Sequence, residues 1–209
     1  MRNWPLFDLS VTSPRLELRS PSLTELDELA DVAARGVHDE GDMPFIVPWS
    51  AAEPSQRARS TVRECFRSWA EFTPSRWTLS FAVIHEGQVI GLQALKAVDF
   101  PVTREVKTST WLGRGFQGRG LGTELRAVVH HLAFAGLRAE HMTTVAFADN
   151  HASIAVYGKF DYLQDGINVV DRQGEAAVGR RFRLPRARWA PRDDIKIHNL
   201  ERCLPLFGL

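Results

Sequence analysis

Hydrophobic positions repeat every two residues in some stretches of the chain and every three to four in others, and the succession of these periods outlines an α/β protein. Leu16 and Leu18 alternate with Arg15, Glu17 and Arg19, so Pro14–Arg19 reads as a strand. Ser22-Leu-Thr-Glu25 is a capping box, in which each side chain satisfies a backbone N–H at a helix start. The helix it opens runs to about Arg35 and stops at Gly36. A loop, residues 38–49, carries two prolines and three acids, Asp39, Glu40 and Asp42. Ser55 opens a second helix to about Phe72, with Val62, Phe66 and Trp69 at helical spacing and Cys65 and Phe66 toward its apolar side.

Period two returns in Trp77–His85 and Val89–Val98, joined by the hairpin signal Glu86-Gly87, and again in Glu105–Leu112. A glycine-rich turn, Gly113–Gly122, then leads into a helix with Leu121, Leu125, Val128, Val129 and Leu132 on one stripe. His130 and His131 fall mostly off that stripe and read as solvent-facing or partner-facing. Met142–Ala148 is the next strand, Asn150–Phe160 a short helix, and Ile167–Val170 with Arg181–Leu184 a closing strand pair around Gln173-Gly174. The tail from Pro191 is polar and then apolar; it and Trp4-Pro-Leu-Phe7 suit either a partner subunit or their own domain. With no repeat and no linker, the sum is a single α/β domain with a mixed sheet over residues 1–209.

Composition narrows the chemistry. The 26 Lys+Arg nearly balance 25 Asp+Glu, so a net charge of +1 gives no electrostatic case for nucleic acid as a partner. Cys65 and Cys203 are too few for a metal cage or a disulfide framework and read as reduced thiols. No stretch approaches the ~20 apolar residues of a membrane helix, and Met1–Ser10 lacks the apolar run of a signal peptide. The expectation is a cytoplasmic protein.

The strongest chemical signal is the glycine-rich turn. Gly113, Gly115, Gly118 and Gly120 crowd it, and Gly122 lies in the first turn of the helix. Each glycine in a helix costs up to about 1 kcal/mol relative to alanine. What it provides is backbone that a ligand can approach. The unsatisfied N–H groups of a helix N-terminus form an anion site, and Arg119 adds charge beside it. Two patterns overlap here. Gly113-Arg-Gly-Phe-Gln-Gly118 matches the dinucleotide fingerprint G-x-G-x-x-G, and with it a dinucleotide-dependent oxidoreductase. Gln117-Gly-Arg-Gly120-Leu-Gly122 fits Q/R-x-x-G-x-G/A.

The second pattern resembles the acetyl-CoA signature of the GCN5-related N-acetyltransferase (GNAT) superfamily. Asn150-His-Ala-Ser153-Ile-Ala-Val-Tyr157-Gly-Lys159, one strand later, resembles that family's second motif. Ser13-Pro-Arg-Leu-Glu-Leu-Arg19 resembles the first strand of its RimJ/RimL-like branch. The order of elements matches over residues 12 to 185, and the tail from 191 to 209 has no counterpart in the common core. Asp161-Tyr162 stand where the family usually has Gly-Phe; aspartate tolerates positive φ better than most residues if the position needs it. The resemblance implies a mixed, mostly antiparallel sheet of about six to seven strands with about four helices.

It also implies roles. Ser109, Trp111, Leu112 and Gly113 would bind the pantetheine arm, and Gln117, Gly118, Arg119, Gly120, Leu121, Gly122 and Thr123 the pyrophosphate. Asn150, Ser153 and Tyr157 share one helical face as the other wall of the site. Tyr157 would protonate the leaving sulfur, and Glu105 is the candidate base, ahead of His85 and His141. The acidic loop before Met43-Pro-Phe45, with Phe45 and Trp49 as an apolar wall, is suited to a cationic amine. The expected activity is acetyl transfer from acetyl-CoA to a primary amine, a protein N-terminus or a small molecule, with a homodimer as one arrangement. A non-catalytic acyl-CoA-binding module of the same fold is the alternative.

Overall fold

The computed structural model describes all 209 residues. The capping box forms as expected: the Ser22 hydroxyl accepts from the Glu25 N–H at 3.3 Å, and the Glu25 carboxylate accepts from the Ser22 N–H at 2.9 Å. It starts helix α1, Leu23–Arg35, which ends at Gly36 with φ 110°. Helix α2, Pro54–Ala70, begins one residue before the expected Ser55, because Pro54 supplies the preset φ of a first helical position. Its buried residues are Thr61, Cys65 and Ser68, whereas Phe66 is 47% exposed. The inward face is therefore turned one residue away from the expected one, and Phe66 only lays its edge on Trp69.

Strands β1 (Ser10–Thr12), β2 (Glu17–Arg19), β3 (Arg76–His85), β4 (Gln88–Val98), β5 (Glu105–Leu112), β6 (His141–Phe147), β7 (Leu163–Arg172), β8 (Glu175–Pro185) and β9 (Lys196–His198) form one sheet. Their spatial order is β7-β8-β6-β5-β4-β3-β2-β1-β9. The two strands beyond the expected number are β1 and β9, each three residues long and too short to show a period. Both hairpin turns take the backbone their sequences suggest, with positive φ at Glu86 and Gly87 and at Gln173 and Gly174. A one-turn helix, α3 (Phe100–Thr103), follows β4; α4 (Leu121–His131) and α5 (His151–Gly158) follow β5 and β6.

Helices α1 and α2 cover one face of the sheet over Ala82, Ile84 and Val89. Helix α4 covers the other, burying Leu121, Leu125, Val128, Val129 and Leu132 as the stripe predicts. The apolar tail packs on its own domain. Phe207 and Cys203 are fully buried, Phe207 lies 5.0 Å from Trp77 ring to ring, and β9 extends the sheet by pairing with β1. Leu6 is buried and Trp4 meets Phe72, so the N-terminal segment joins the same core.

One pairing sets up the site. β5 and β6 are the only parallel neighbours, and they pair only over Glu105–Lys107 against His141–Thr143. Beyond that point β5 stays with β4 up to Leu112, while β6 stays with β8 up to Phe147. The sheet opens into a V whose apex lies at Thr108 and Thr144.

Candidate active site

The upper end of β5 runs into the glycine-rich turn. Gly118 and Gly120 take φ of 71° and 78°, a region that penalises other residues. A side chain at Gly113 would strike Val32 at 2.7 Å, whereas Gly115, Gly118 and Gly122 look onto open space. The consecutive N–H groups from Gly118 to Gly122 have no backbone acceptor, and α4 starts at Leu121. That is the geometry of an anion cradle backed by a helix dipole.

The turn is held from three sides. The Gln117 side chain donates to the carbonyls of Val37 and Leu112, both at 2.8 Å, so it organises the turn while its backbone lines it. Glu124, in the first turn of α4, accepts from the Ser13 hydroxyl at 2.8 Å and pairs with Arg15 at 2.6 Å. Burial pushes the Glu124 carboxyl up, but the bonds from Ser13 and Arg15 outweigh it and hold it below the usual carboxylate range. Lys159 reaches Thr123 at 3.4 Å from the end of α5. The sequence reading passed over Lys159 as a cation for this cradle; its signal was a lysine two residues after Tyr157.

At the apex of the V, two side chains reach across from the helices. The Tyr157 hydroxyl lies 3.3 Å from that of Thr144 on β6. Arg126 of α4 donates to the Thr108 hydroxyl on β5 at 2.7 Å, and its guanidinium stands 5.1 Å from the Tyr157 ring centre. Tyr157 and Arg126 are 5% and 6% exposed. Below them, His130 bonds the Tyr162 hydroxyl at 2.9 Å and meets the Phe160 ring edge-on at 4.8 Å. His130 is thus buried rather than solvent-facing, because the segment after α5 folds over that flank of α4 and supplies it with partners. Burial, and secondarily the Arg126 charge, pushes the His130 imidazole well down, so it is neutral. Burial raises the Tyr162 phenol to about 12. His131 keeps partial exposure beside Trp189.

Asn150 caps α5, its side chain accepting from the Ser153 N–H at 3.0 Å, and Ser153 and Tyr157 follow on the same face. Asp161 takes φ 54°, so the position that glycine usually fills does require positive φ here.

Glu105 does not join this group. Strand alternation puts Glu105, Lys107, Ser109 and Trp111 on the face opposite Thr108. One Glu105 oxygen accepts from Thr143 at 3.2 Å and the other pairs with Arg183 at 2.9 Å. His85 bonds the Arg15 carbonyl, and His141 sits at the paired base of β5–β6. On that opposite face Trp111 packs against Trp49 at 5.5 Å between ring centres, and Trp49 against Phe45 at 5.3 Å, each pair tilted by 44°. The expected apolar wall therefore forms. Of the loop acids, Asp39 is paired with Arg114 at 2.6 Å, while Glu40 and Asp42 are exposed. The other end of the loop is held by Arg172, which donates to the Met43 carbonyl at 2.7 Å and pairs with Asp149 at the same distance. Loop 38–49 thus bridges the open ends of β5 and β6.

The G-x-G-x-x-G reading fails on this geometry. A dinucleotide fold needs a parallel sheet, and β5–β6 is the sole parallel pair. Moreover, α4 begins at Leu121, not directly after Gly115.

Comparison with known proteins agrees. Residues 15–162 match the family described as Acetyltransferase (GNAT) domain. Among solved structures, the chain is similar to a GCN5-related N-acetyltransferase from Brucella melitensis, with 22% identity and a TM-score of 0.66 over 86% of this chain and 80% of that one. It is similar to RimL, a ribosomal L7/L12 alpha-N-protein acetyltransferase solved with coenzyme A, at 16% identity and a TM-score of 0.64 over 83% and 95%. It also resembles the microcin C7 self-immunity acetyltransferase MccE, solved with acetyl-CoA and AMP, at 14% identity and a TM-score of 0.63 over 82% and 93%. The likeness to RimL is one of fold. The chain belongs to the GNAT acetyltransferase family, whose members take their acetyl group from acetyl-CoA.

Proposed function

We propose that the V between β5 and β6 carries acetyl-CoA to a primary amine that attacks the thioester directly, with Tyr157 as general acid. The observation that carries this reading is the Tyr157 hydroxyl at the apex of the V, where β5 and β6 separate. The backbone of Ser109, Trp111, Leu112 and Gly113 lines one arm and would take the pantetheine. The N–H groups of Gly118, Arg119, Gly120, Leu121 and Gly122, between Gln117 and Thr123, would take the pyrophosphate, with Lys159 and Arg119 as counter-cations. Asn150 and Ser153 set the pitch of α5 that brings Tyr157 inward.

The amine enters from the face of Trp111, Trp49 and Phe45, with the exposed Glu40 and Asp42 drawing a cationic acceptor. Its nitrogen lone pair forms the C–N bond. The C–S pair leaves on sulfur, which takes the Tyr157 proton. Because both Glu105 oxygens are engaged, we assign removal of the amine proton to water in this open face, and keep Glu105 as the tie between β5, β6 and β8. A protein N-terminus and a small amine both fit the arrangement. Proximity in the V supplies much of the rate.

The test is thiol release from acetyl-CoA against a panel of peptides and small amines, run beside Tyr157→Phe. Loss of about 100-fold in kcat with CoA affinity kept is the expected result. Turnover unchanged by that substitution would remove Tyr157 from the mechanism, and stabilisation by CoA with no turnover of any amine would leave a binding module.

A further inference from the structure

Arg126 poses a physical problem that the fold alone does not solve. It stands on the inward side of α4, one turn after Gly122, among Leu125, Val129 and Leu132. Arg126 is 6% exposed, and its polar partners are two neutral hydroxyls: it donates to Thr108 at 2.7 Å and also bonds the Tyr162 phenol. The groups that face it are Thr108 from β5, Tyr157 from α5, His130 from its own helix and Tyr162 from the segment after α5. None is a carboxylate, and His130 is neutral. An isolated buried cation costs several kcal/mol, and a well-packed apolar side chain of similar volume is usually neutral or stabilising in its place. A methionine would fill this position and leave the core intact.

The leaving-group anion that the reaction creates when the C–S bond breaks arises next to this cation. Until its proton arrives, the departing sulfur carries the electron pair of the broken C–S bond. Resting on the acetyl-transfer reading above, we infer that Arg126 is a positioning residue for the leaving group. Its charge at the apex of the V stabilises the CoA thiolate, and its plane holds the Tyr157 ring in place against Thr144. The buried, unpaired cation is the opposite charge held ready, and the water-poor site makes that charge effective. No atom of the reaction bonds to Arg126; it acts through the field and through Tyr157.

The thiolate can be probed without turnover by comparing CoA with desulfo-CoA, which lacks the sulfur. In the wild-type protein, CoA affinity relative to desulfo-CoA is expected to rise about tenfold between pH 7 and pH 9, as the thiol ionises beside the cation. Arg126→Met should bind desulfo-CoA as the wild type does, within about twofold, and show no such rise; Arg126→Lys should keep part of it. With an active acceptor, Arg126→Met should lose about 30-fold or more in kcat at unchanged KM, with Arg126→Lys recovering part of the loss. Its melting temperature should be equal or higher.

A pH-dependent preference for CoA that survives in Arg126→Met would overturn the inference. So would equal weakening of both ligands, which would mean that Arg126 only shapes the cleft. If Arg126→Met does not fold, Arg126→Lys and Arg126→Gln carry the same comparison. If the wild type turns over no amine, the acetyl-transfer reading falls, while the two-ligand comparison still decides whether Arg126 senses the sulfur.

Discussion

Two aromatic clusters lie on the same face of the sheet, at similar burial, and are built on opposite principles. Phe72, Trp77, Phe100 and Phe207 meet edge-to-face or stacked at 5.0 to 6.0 Å, and the Trp77 indole N–H is left without a partner. Around Tyr157, Tyr162 and Phe182 the rings sit at 5.1 to 5.4 Å, but two of the three carry hydroxyls and a guanidinium and an imidazole are buried with them. The first cluster lies under β3 and β4, which pair along their whole length and present a continuous apolar floor. The second lies where β5 and β6 part. Their separated backbones need polar neighbours, and a ligand can reach between them. Burial by itself therefore does not distinguish the parts of this protein that stabilise it from the parts that act; the state of the strand pairing beneath does.

The comparison can be broken experimentally. Phe207→Ala should cost about 3–5 kcal/mol, since it empties a fully buried site against the Phe72 and Trp77 rings. An unfolding free energy from urea titration that falls by less than about 1 kcal/mol would mean that the tail is not part of the core. Tyr157→Phe, by contrast, should lose its hundredfold in rate while costing only about 1 kcal/mol of stability, the worth of one hydrogen bond to Thr144.

The acid response should be centred on the polar cluster, with a further contribution from His131, whose imidazole burial also pushes down. His130 has its folded-state pKa pushed below the unfolded value of 6.5. The unfolded chain therefore binds the proton first as pH falls. Stability is full above about pH 6.5 and declines below it, with a slope of at most about 1.4 kcal/mol per pH unit from this group. His130→Gln, which can still bond Tyr162, should flatten that slope in melting curves between pH 6.5 and pH 5. An unchanged slope would assign the acid sensitivity elsewhere. Glu124 and Glu25, both held below their usual range, add their losses only at lower pH, as each carboxylate is protonated.

The smallest effect sharpens the comparison at its rim. Asp161→Gly relieves a non-glycine residue of its left-handed backbone and should stabilise the protein by about 0.5–1 kcal/mol, with no change in kcat. A loss of stability would mean that the Asp161 side chain contributes more than its backbone strain costs.

Much of this was legible in the sequence, and what was not has identifiable causes. The hairpins, the β5–turn–α4 passage and the capping box were readable because each depends on residues within a few positions of one another. Phe66 and His130 were misplaced because helical spacing gives a stripe but not which neighbours arrive on its flanks. Segment 160–162 supplies partners for His130, while no element covers Phe66. Glu105 is on the strand and face expected, but Arg183 of β8 and Thr143 of β6 take up its carboxylate, and no local pattern announces those partners. Strands β1 and β9 were too short for any periodicity, and their pairing brings together residues 10–12 and 196–198, at opposite ends of the chain.

By itself, the sequence determined that glycines at 118, 120 and 122 leave a row of free N–H groups before a helix. It also determined that Asn150, Ser153 and Tyr157 share one face of a second helix, because both facts follow from backbone freedom and a fixed helical pitch. Only the tertiary structure decided that β5 and β6 part after three residues, and that Tyr157 and Arg126 meet at the point of parting. It alone placed the tail as a wall of the core. Those facts depend on which distant segments share a surface, and a spacing along one chain carries no information about that.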